Sequence, residues 1–262
     1  MQYLEFIILG ILQGITEFLP ISSSGHLLIG RTIFNIESSI SGSFIEIFLH
    51  GGTLLSILLF FKKDILLEID SLFNQKYKFS LNIIIATIPA AIIGFLFKDL
   101  INTYFFDINN IQYLGFSYLF LSFILYCTKS CNNSENNKIS LINALFIGIA
   151  QSLAIIPGIS RSGITIACAI FLGINPKFSM KFSFILAIPI LLFSFIDSLS
   201  SNYHLLYEST MLIPLFLGFI ISFIVGYISI SLLNNIVQNK KLWYFSPYCL
   251  FIAILLGVYY GL

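Results

Sequence analysis

Long apolar stretches separated by short polar segments dominate the chain. A helix needs about 20 apolar residues to cross the hydrocarbon core of a bilayer. Six stretches approach or exceed that length, namely 43–61, 81–97, 111–127, 181–199, 210–233 and 243–262. The pattern predicts an all-α, polytopic membrane protein with six spanning helices.

Two further apolar stretches, 2–19 and 141–156, each end in a polar turn. The turns are Pro20-Ile-Ser-Ser-Ser-Gly-His26 and Pro157-Gly-Ile-Ser-Arg-Ser-Gly163, and the apolar stretches that follow, 27–36 and 164–174, are too short to cross. Irregular backbone at membrane depth is tolerated where it lines a cavity. We therefore predict two re-entrant helical hairpins in addition to the six spans.

Composition supports a membrane location and narrows the function. Hydrophobic residues make up 58% of the chain and charged residues only 10%, whereas a soluble domain carries about 25% charged residues. The net charge of +1 provides no field that would attract nucleic acid. The four cysteines are scattered and are interpreted as packing residues. The apolar N-terminus lacks a basic region and a cleavage motif, so it is predicted to belong to the mature protein.

The basic residues predict an orientation. If each hairpin enters and leaves on one side, Arg31 and Lys98 lie on one face and Arg161 lies within the membrane. The other face then carries ten lysines: Lys62, Lys63, Lys76, Lys78, Lys129, Lys138, Lys177, Lys181, Lys240 and Lys241. The positive-inside rule places that face in the cytoplasm and both termini outside it. Two full crossings in place of each hairpin would give the same parity, so that alternative stays open.

The two polar turns belong to an internal repeat. At an offset of 138, residues 10–25 match 148–163 at seven of sixteen positions, including Gln13 with Gln151 and Ser22 with Ser160. The chain is interpreted as one membrane domain, 1–262, with halves of about 1–135 and 136–262 joined by the linker 128–140. Each half has three spans, so the second half is inverted. We expect the two turns to approach each other from opposite faces of the membrane.

Polar residues at the first turn are candidates for chemistry. Gln13 and Glu17 share one helix face, and an ionisable group at that depth is a functional candidate; a headgroup position for Glu17 is the alternative. Ser22, Ser23 and Ser24 offer hydroxyl nucleophiles and His26 an acid or base. Serine also caps helices, so capping alone remains an alternative for the triplet.

Arg161 is the basic residue that the pattern places within the membrane. Its guanidinium matches phosphate oxygens in a bidentate fork, and Ser160, Ser162 and the following helix N-terminus extend that anion site. A structural ion pair with Glu17 is the alternative role. Thr165 either adds a hydroxyl to the site or bonds its own helix backbone.

Residues outside the two turns are less informative. Glu46 and His50, four apart and near Thr53, fit equally well a support for the site and a polar contact between helices. His204 and Asp197 are interpreted as solvated.

An anion clamp, a hydroxyl, an imidazole and a carboxylate together fit phosphate-ester or pyrophosphate hydrolysis in a membrane-bordered cavity. These motifs also resemble the paired signatures of the bacterial undecaprenyl pyrophosphate phosphatases of the bacitracin-resistance type, over nearly the whole chain. The resemblance implies hydrolysis of undecaprenyl pyrophosphate to undecaprenyl phosphate and inorganic phosphate, which recycles the lipid carrier of cell-wall synthesis. It also implies a multi-pass protein of the bacterial inner membrane with its site open to the periplasm.

The resemblance also assigns roles. Glu17 resembles the essential carboxylate and would hold a divalent cation, Mg²⁺ or Ca²⁺. Ser23 resembles the nucleophile, His26 its acid/base partner and Arg161 the phosphate-binding arginine. The expected substrate-binding residues are Gln13, Ser22, Ser24, Ser160, Ser162 and Thr165. Gln13 stands where some members have Glu, which puts a two-carboxylate cation site in doubt. The partners are the polyprenyl substrate and membrane lipid; a homodimer is left open.

Two other classes of protein compete with this interpretation. Inverted repeats with broken helices are also typical of transporters and lipid flippases, which need access from two sides but no nucleophile. An intramembrane serine protease would use the serine and histidine but gives Arg161 no role.

Overall fold

The computed structural model describes residues 2–33, 42–75, 77–97, 112–131, 135–202 and 209–260. These residues form helices joined by turns. The helices are α1 Gln2–Thr16, α2 Ser23–Ile33, α3 Gly42–Phe60, α4 Lys62–Phe73, α5 Lys78–Leu96, α6 Leu114–Cys127, α7 Leu141–Leu153, α8 Arg161–Phe171, α9 Pro176–Asn202, α10 Ser209–Gln238 and α11 Ser246–Tyr260, with short 3₁₀ turns at Thr128–Ser130 and Leu242–Phe245. The all-α prediction is confirmed.

Four helical stretches among the described residues are long and apolar enough to cross a membrane: Lys78–Leu96, Pro176–Ser200, Leu212–Gln238 and Leu242–Tyr260. A fifth is reached if α3 and α4, which meet at a bend of 73°, are taken as one broken span. The predicted span 111–127 corresponds to a shorter apolar helix, Leu114–Ser130, and residues 98–111 before it lie outside the described part. Membrane-spanning length is therefore established for fewer segments than the six predicted.

The segment between the predicted spans 43–61 and 81–97, interpreted from its charges as a loop, is helical over Lys62–Phe73. Its charged residues at both ends suggested a connection, but Leu66, Ile69 and Phe73 give it an apolar side. All three side chains are exposed, Phe73 by 84%. The helix is tied to the start of α9 by an ion pair between Asp64 and Lys181, whose Oδ1 and Nζ atoms lie 2.6 Å apart.

Two pairs of helices occupy corresponding positions in the predicted repeat. α2 and α8 each have 11 residues, and their first residues, Ser23 and Arg161, are 138 positions apart. Helix α1 packs along α10 of the second half, and α7 packs along α5 of the first half. The two contacts are close: a Cβ on Gly10 would lie 2.6 Å from the carbonyl oxygen of Gly218, and one on Gly148 would lie 2.5 Å from that of Ala86. Small residues let helix backbones approach in this way.

The segments between α1 and α2 and between α7 and α8 lie inside this bundle. Phe18, in the first segment, is fully buried and packs edge-on against Phe184 of α9, with ring centroids 5.5 Å apart. Tyr118 of α6 is likewise fully buried, beneath the start of α2. A Cβ on Gly25 would lie 2.5 Å from the Tyr118 hydroxyl oxygen, which explains a glycine at that position.

Candidate active site

Three contacts join the two polar turns. The Gly158 backbone N–H donates to Ser22 Oγ at 3.1 Å, and Ser162 Oγ donates to the Phe18 carbonyl at 3.1 Å. The third is an ion pair across the repeat, described next. The two turns therefore meet, as predicted, whereas their approach from opposite faces of the membrane stays a prediction.

Glu17 is the centre of the site. Its side chain is 6% exposed, and Arg161 Nη2 lies 2.5 Å from its Oε1. Its other oxygen, Oε2, accepts hydrogen bonds from Ser23 Oγ at 2.7 Å and from Gln13 Nε2 at 3.2 Å. His50 Nε2 is a further 3.2 Å neighbour of the same oxygen. Side chains from α1, α2, α3 and α8 thus converge on one buried carboxylate.

A cavity of about 180 Å³ opens beside this carboxylate. Because a water molecule takes up about 30 Å³ in the liquid, a cavity of this size has room for a phosphate group. The side chains of α9, with Ala154 and Ile159, form the apolar part of the wall, and polar groups form the rest. The lining residues are Thr16, Glu17, Ser22, Ser23, Ser24, His50, Gln151, Ala154, Ile159, Ser160, Arg161, Ala187, Ile190 and Leu191.

The three serines of the first turn have different surroundings. Ser22 is in the left-handed region, with φ of +67°, and its Oγ accepts from the Gly25 N–H at 3.3 Å. It therefore caps α2, which fits the capping alternative for this serine. Ser24 Oγ lies 3.3 Å from Ser22 Oγ. Only Ser23 of the three donates to Glu17, so the structure distinguishes it from its neighbours.

The second turn repeats the capping arrangement. Ser160 Oγ accepts from the Gly163 N–H at 3.1 Å and lies 3.1 Å from Ser162 Oγ. Thr165 bonds the Arg161 carbonyl at 2.7 Å and Ser183 Oγ at 2.6 Å. In the part of the chain that the structure covers, Ser160 lines the cavity whereas Ser162 and Thr165 support the turn from behind. Their predicted contact with substrate is untested, and their positions favour the supporting role.

His26 does not lie where the sequence suggested. Its Nδ1 is 2.7 Å from the Ser22 carbonyl and 2.9 Å from the Tyr118 hydroxyl, and its Nε2 is 2.7 Å from the Tyr248 hydroxyl. The ring stacks on Tyr248, with an interplanar angle of 10°. Among the described contacts, His26 bonds these partners and not Ser23, and its acid/base role stays a prediction. Glu17 is the group within reach of the Ser23 hydroxyl.

Sequence reasoning left two cavity residues unassigned. His50 contacts Glu17, and its pairing with Glu46 is a bond from Nδ1 to the Glu46 carbonyl, at 2.7 Å, within α3. Gln151, buried to 98%, lines the cavity and donates from Nε2 to the Ala86 carbonyl at 3.3 Å. Its match with Gln13 in the repeat was the available signal. No comparable signal placed His50 beside Glu17. His204 lies outside the described residues.

The residues present do not by themselves form a cation cage. Over the described ranges, no group of three or more His, Cys, Asp and Glu side chains is placed to hold a metal ion. Both oxygens of Glu17 already have partners. Magnesium is often bound through one or two carboxylates together with substrate phosphates. A cation at Glu17 therefore stays a prediction, and no step below is assigned to it.

The fold and the site together define a membrane protein with a serine, a carboxylate and an arginine assembled in a buried polar cavity. Residues 6–255 match the family model described as bacitracin resistance protein BacA. The chain belongs to this family, which confirms the resemblance stated from the sequence.

Curated relatives extend over the whole chain. A protein of Thermosipho africanus named undecaprenyl-diphosphatase is 39% identical over 259 residues, covering 96% of this chain and 98% of the relative. Proteins with the same name from Christiangramia forsetii and Methanobrevibacter smithii are 36% and 35% identical, and each alignment covers at least 96% of both chains.

Proposed function

We propose that this protein is an undecaprenyl-diphosphatase, which hydrolyses undecaprenyl pyrophosphate to undecaprenyl phosphate and inorganic phosphate and so recycles the lipid carrier. One observation carries the proposal. Ser23 and Arg161, from opposite halves of the repeat, bind the two oxygens of the same buried carboxylate at the edge of a cavity. This arrangement supplies a nucleophile and an anion-binding group to one phosphate. The names of the relatives support it.

The proposed first step is attack by Ser23 Oγ on the terminal phosphorus. The serine–phosphorus bond forms while the bond from phosphorus to the bridging oxygen breaks, and undecaprenyl phosphate leaves. Glu17, 2.7 Å from Ser23 Oγ, takes the serine proton, the role that the sequence suggested for His26. Arg161 turns from Glu17 to the phosphate oxygens, which removes its positive charge from the carboxylate and makes Glu17 a better proton acceptor.

The second step is hydrolysis of the phosphoserine by water. The oxygen of the water forms a bond to phosphorus while the bond from phosphorus to Ser23 Oγ breaks. Glu17, 2.7 Å from Ser23 Oγ, returns its proton to that oxygen and restores the hydroxyl, and inorganic phosphate leaves with the protons of the water. In this scheme His26 positions the turn: its bonds to the Ser22 carbonyl and to the tyrosines Tyr118 and Tyr248 hold the residue next to Ser23. Direct attack by water, with no phosphoserine, is the alternative to be tested.

The nucleophile is tested by trapping the intermediate. Brief incubation with substrate labelled at the terminal phosphate, followed by acid quench, should leave label on Ser23 in the wild type and none in Ser23→Ala. Ser22→Ala and Ser24→Ala are matched controls that should still be labelled. Full activity of Ser23→Ala would exclude Ser23 as the nucleophile. Absence of label in an active wild type would favour direct attack by water.

The activity itself is tested by phosphate release from undecaprenyl pyrophosphate in detergent, with and without a chelator. A transporter or flippase is the rival class. Lipid translocation and phosphate release are measured in vesicles for the wild type and for Ser23→Ala. If Ser23→Ala loses phosphate release but moves the lipid across the bilayer at the same rate as the wild type, translocation is the better account. A protease reading leaves Arg161 without a role, whereas here it contacts Glu17.

We further propose the complete topology of six spans and two re-entrant hairpins, arranged as an inverted repeat in the bacterial inner membrane. The matching contacts of α1 with α10 and of α7 with α5 support the repeat. The half-length helices α2 and α8, which follow the two turns, support the hairpins. The lysine distribution supports a site that opens to the periplasm.

A further inference from the structure

His50 contacts the oxygen of Glu17 that Ser23 also binds. His50 Nε2 lies 3.2 Å from Glu17 Oε2, and Ser23 Oγ lies 2.7 Å from the same atom. Arg161 binds the other oxygen, Oε1. His50 is therefore placed to restrain the carboxylate at the end where the nucleophile is held.

The ring of His50 is fixed in this orientation. Its Nδ1 lies 2.7 Å from the Glu46 carbonyl, and because a carbonyl oxygen only accepts, Nδ1 is the donor. Helix α3 is itself tied to α10 on both sides of His50. Ser222 Oγ donates to the Leu49 carbonyl at 2.9 Å, and Ser56 Oγ donates to the Phe223 carbonyl at 2.7 Å. The Nε2 atom is thus presented to Glu17 by a rigid element. Because a carboxylate oxygen only accepts, both ring nitrogens donate and His50 carries a positive charge, a protonation state assigned from these neighbours.

Such a restraint is needed because Arg161 has two tasks. In the free protein its Nη2 pairs with Glu17, but phosphate binding requires the same guanidinium. A buried charge that loses its partner is strongly destabilised. His50 remains beside Glu17 when Arg161 turns away.

We propose that His50 is a positioning residue that holds Glu17 against Ser23 while Arg161 binds the phosphate of the substrate. The inference rests on the proposed function, because it assigns work to His50 within that reaction. It predicts that loss of the Nε2 donor lowers kcat more than it raises KM. Substrate is bound by Arg161 and the cavity, whereas Glu17 acts on the nucleophile.

The test compares four purified proteins for phosphate release from undecaprenyl pyrophosphate. His50→Leu removes the donor, and we expect kcat to fall about 10- to 100-fold, the size typical of a lost hydrogen bond to a charged group. His50→Gln keeps an N–H donor at similar reach, so it should recover most of this loss. Ser179→Ala is the control: it removes a buried hydroxyl that bonds the Asn175 carbonyl at the start of α9, outside the lining of the cavity, and it should stay within about threefold of the wild type.

A double-mutant cycle with Glu17 separates positioning from a general effect on folding. If His50 acts through Glu17, then adding His50→Leu to Glu17→Gln should cost little beyond Glu17→Gln alone. If the effect of His50→Leu is purely structural, it should lower the activity of Glu17→Gln by the same factor as it lowers the activity of the wild type. If His50→Leu does not fold, as judged by its thermal midpoint in detergent, His50→Asn takes its place, because its amide is too short to donate to both Glu46 and Glu17.

The outcomes separate the two proposals. An inactive wild type, or a Ser23→Ala variant as active as the wild type, refutes the proposed function whatever His50 does. An active wild type that depends on Ser23, together with a His50→Leu variant no worse than Ser179→Ala, refutes the role of His50 alone. Equal losses in His50→Gln and His50→Leu also refute it, as does full additivity in the cycle.

Discussion

Arg161 is held in the free protein by one of its two terminal nitrogens. Nη2 pairs with Glu17 Oε1, whereas Nη1 is buried and has no hydrogen-bond partner among the described residues. A buried donor without a partner costs about 1–3 kcal/mol. A phosphate oxygen that accepts from Nη1 would remove that cost, so the guanidinium is prepared for an anion. In the proposed reaction, the ion pair with Glu17 and the contact with phosphate are successive states of this side chain.

Arg161→Lys tests the need for the planar fork. Lysine keeps the charge but offers a single ammonium group. We expect kcat/KM to fall by a factor that corresponds to about 2 to 4 kcal/mol, the usual effect of losing one preorganised donor. Phosphate release gives the measurement. The same substitution at Arg31, the only other arginine in the sequence, is the control, and near-wild-type turnover of Arg161→Lys would remove Arg161 from the phosphate site.

A residue could be assigned to the site from the sequence when its partners lay in the two repeated turns, and not when they lay far away along the chain. Glu17, Ser23 and Arg161 were found because they lie in two repeated turns, and the repeat predicted that these turns meet. The surroundings of His26 were not predictable in this way. Its partners Tyr118 and Tyr248 are 92 and 222 positions away, and no local pattern relates them to the turn. His50 was undervalued for the same reason.

At the scale of helices, the sequence predicted an element best where both the length of an apolar stretch and its place in the repeat indicated the same helix. The half-length helices α2 and α8 follow the two polar turns, close to the predicted stretches 27–36 and 164–174. Helix α4 was missed because its lysines and acidic residues resemble a connecting loop. It meets α3 at a bend of 73°, and hydropathy averaged over a span does not resolve such a bend.

Close packing of α7 on α5 depends on Gly148. An added Cβ would lie 2.5 Å from the Ala86 carbonyl oxygen, so the helices must separate to admit it. We expect Gly148→Ala to destabilise the protein by about 1 to 3 kcal/mol, as overpacking does, and to lower the thermal midpoint in detergent. Gly94→Ala is the matched control, because its nearest atom, Ile155 Cδ1, is 3.9 Å away. If both variants unfold at the same temperature, the contact between Gly148 and Ala86 does not limit the stability of the protein.

On the scale of the whole molecule, the site lies where the two halves meet. The first half contributes Glu17 and Ser23, and the second contributes Arg161 and the capping serine Ser160. Equivalent positions have diverged: Ser22 and Ser160 cap their helices in the same way, whereas Ser23 corresponds to Arg161. In the proposed reaction this one difference gives the first turn the nucleophile and the second the anion-binding group.

The orientation of this assembly follows from its lysines and can be tested directly. Ten lysines on one face against Arg31 and Lys98 on the other predict that position 138 is cytoplasmic and position 262 periplasmic. In a variant that lacks the four native cysteines, an impermeant maleimide applied to intact cells should label Leu262→Cys and spare Lys138→Cys. Lys138 is exposed, so its cysteine should become reactive once the membrane is permeabilised, which separates protection by the bilayer from burial. Labelling of position 138 alone in intact cells would reverse the orientation and place the mouth of the cavity on the cytoplasmic side, where a periplasmic substrate could not reach Ser23.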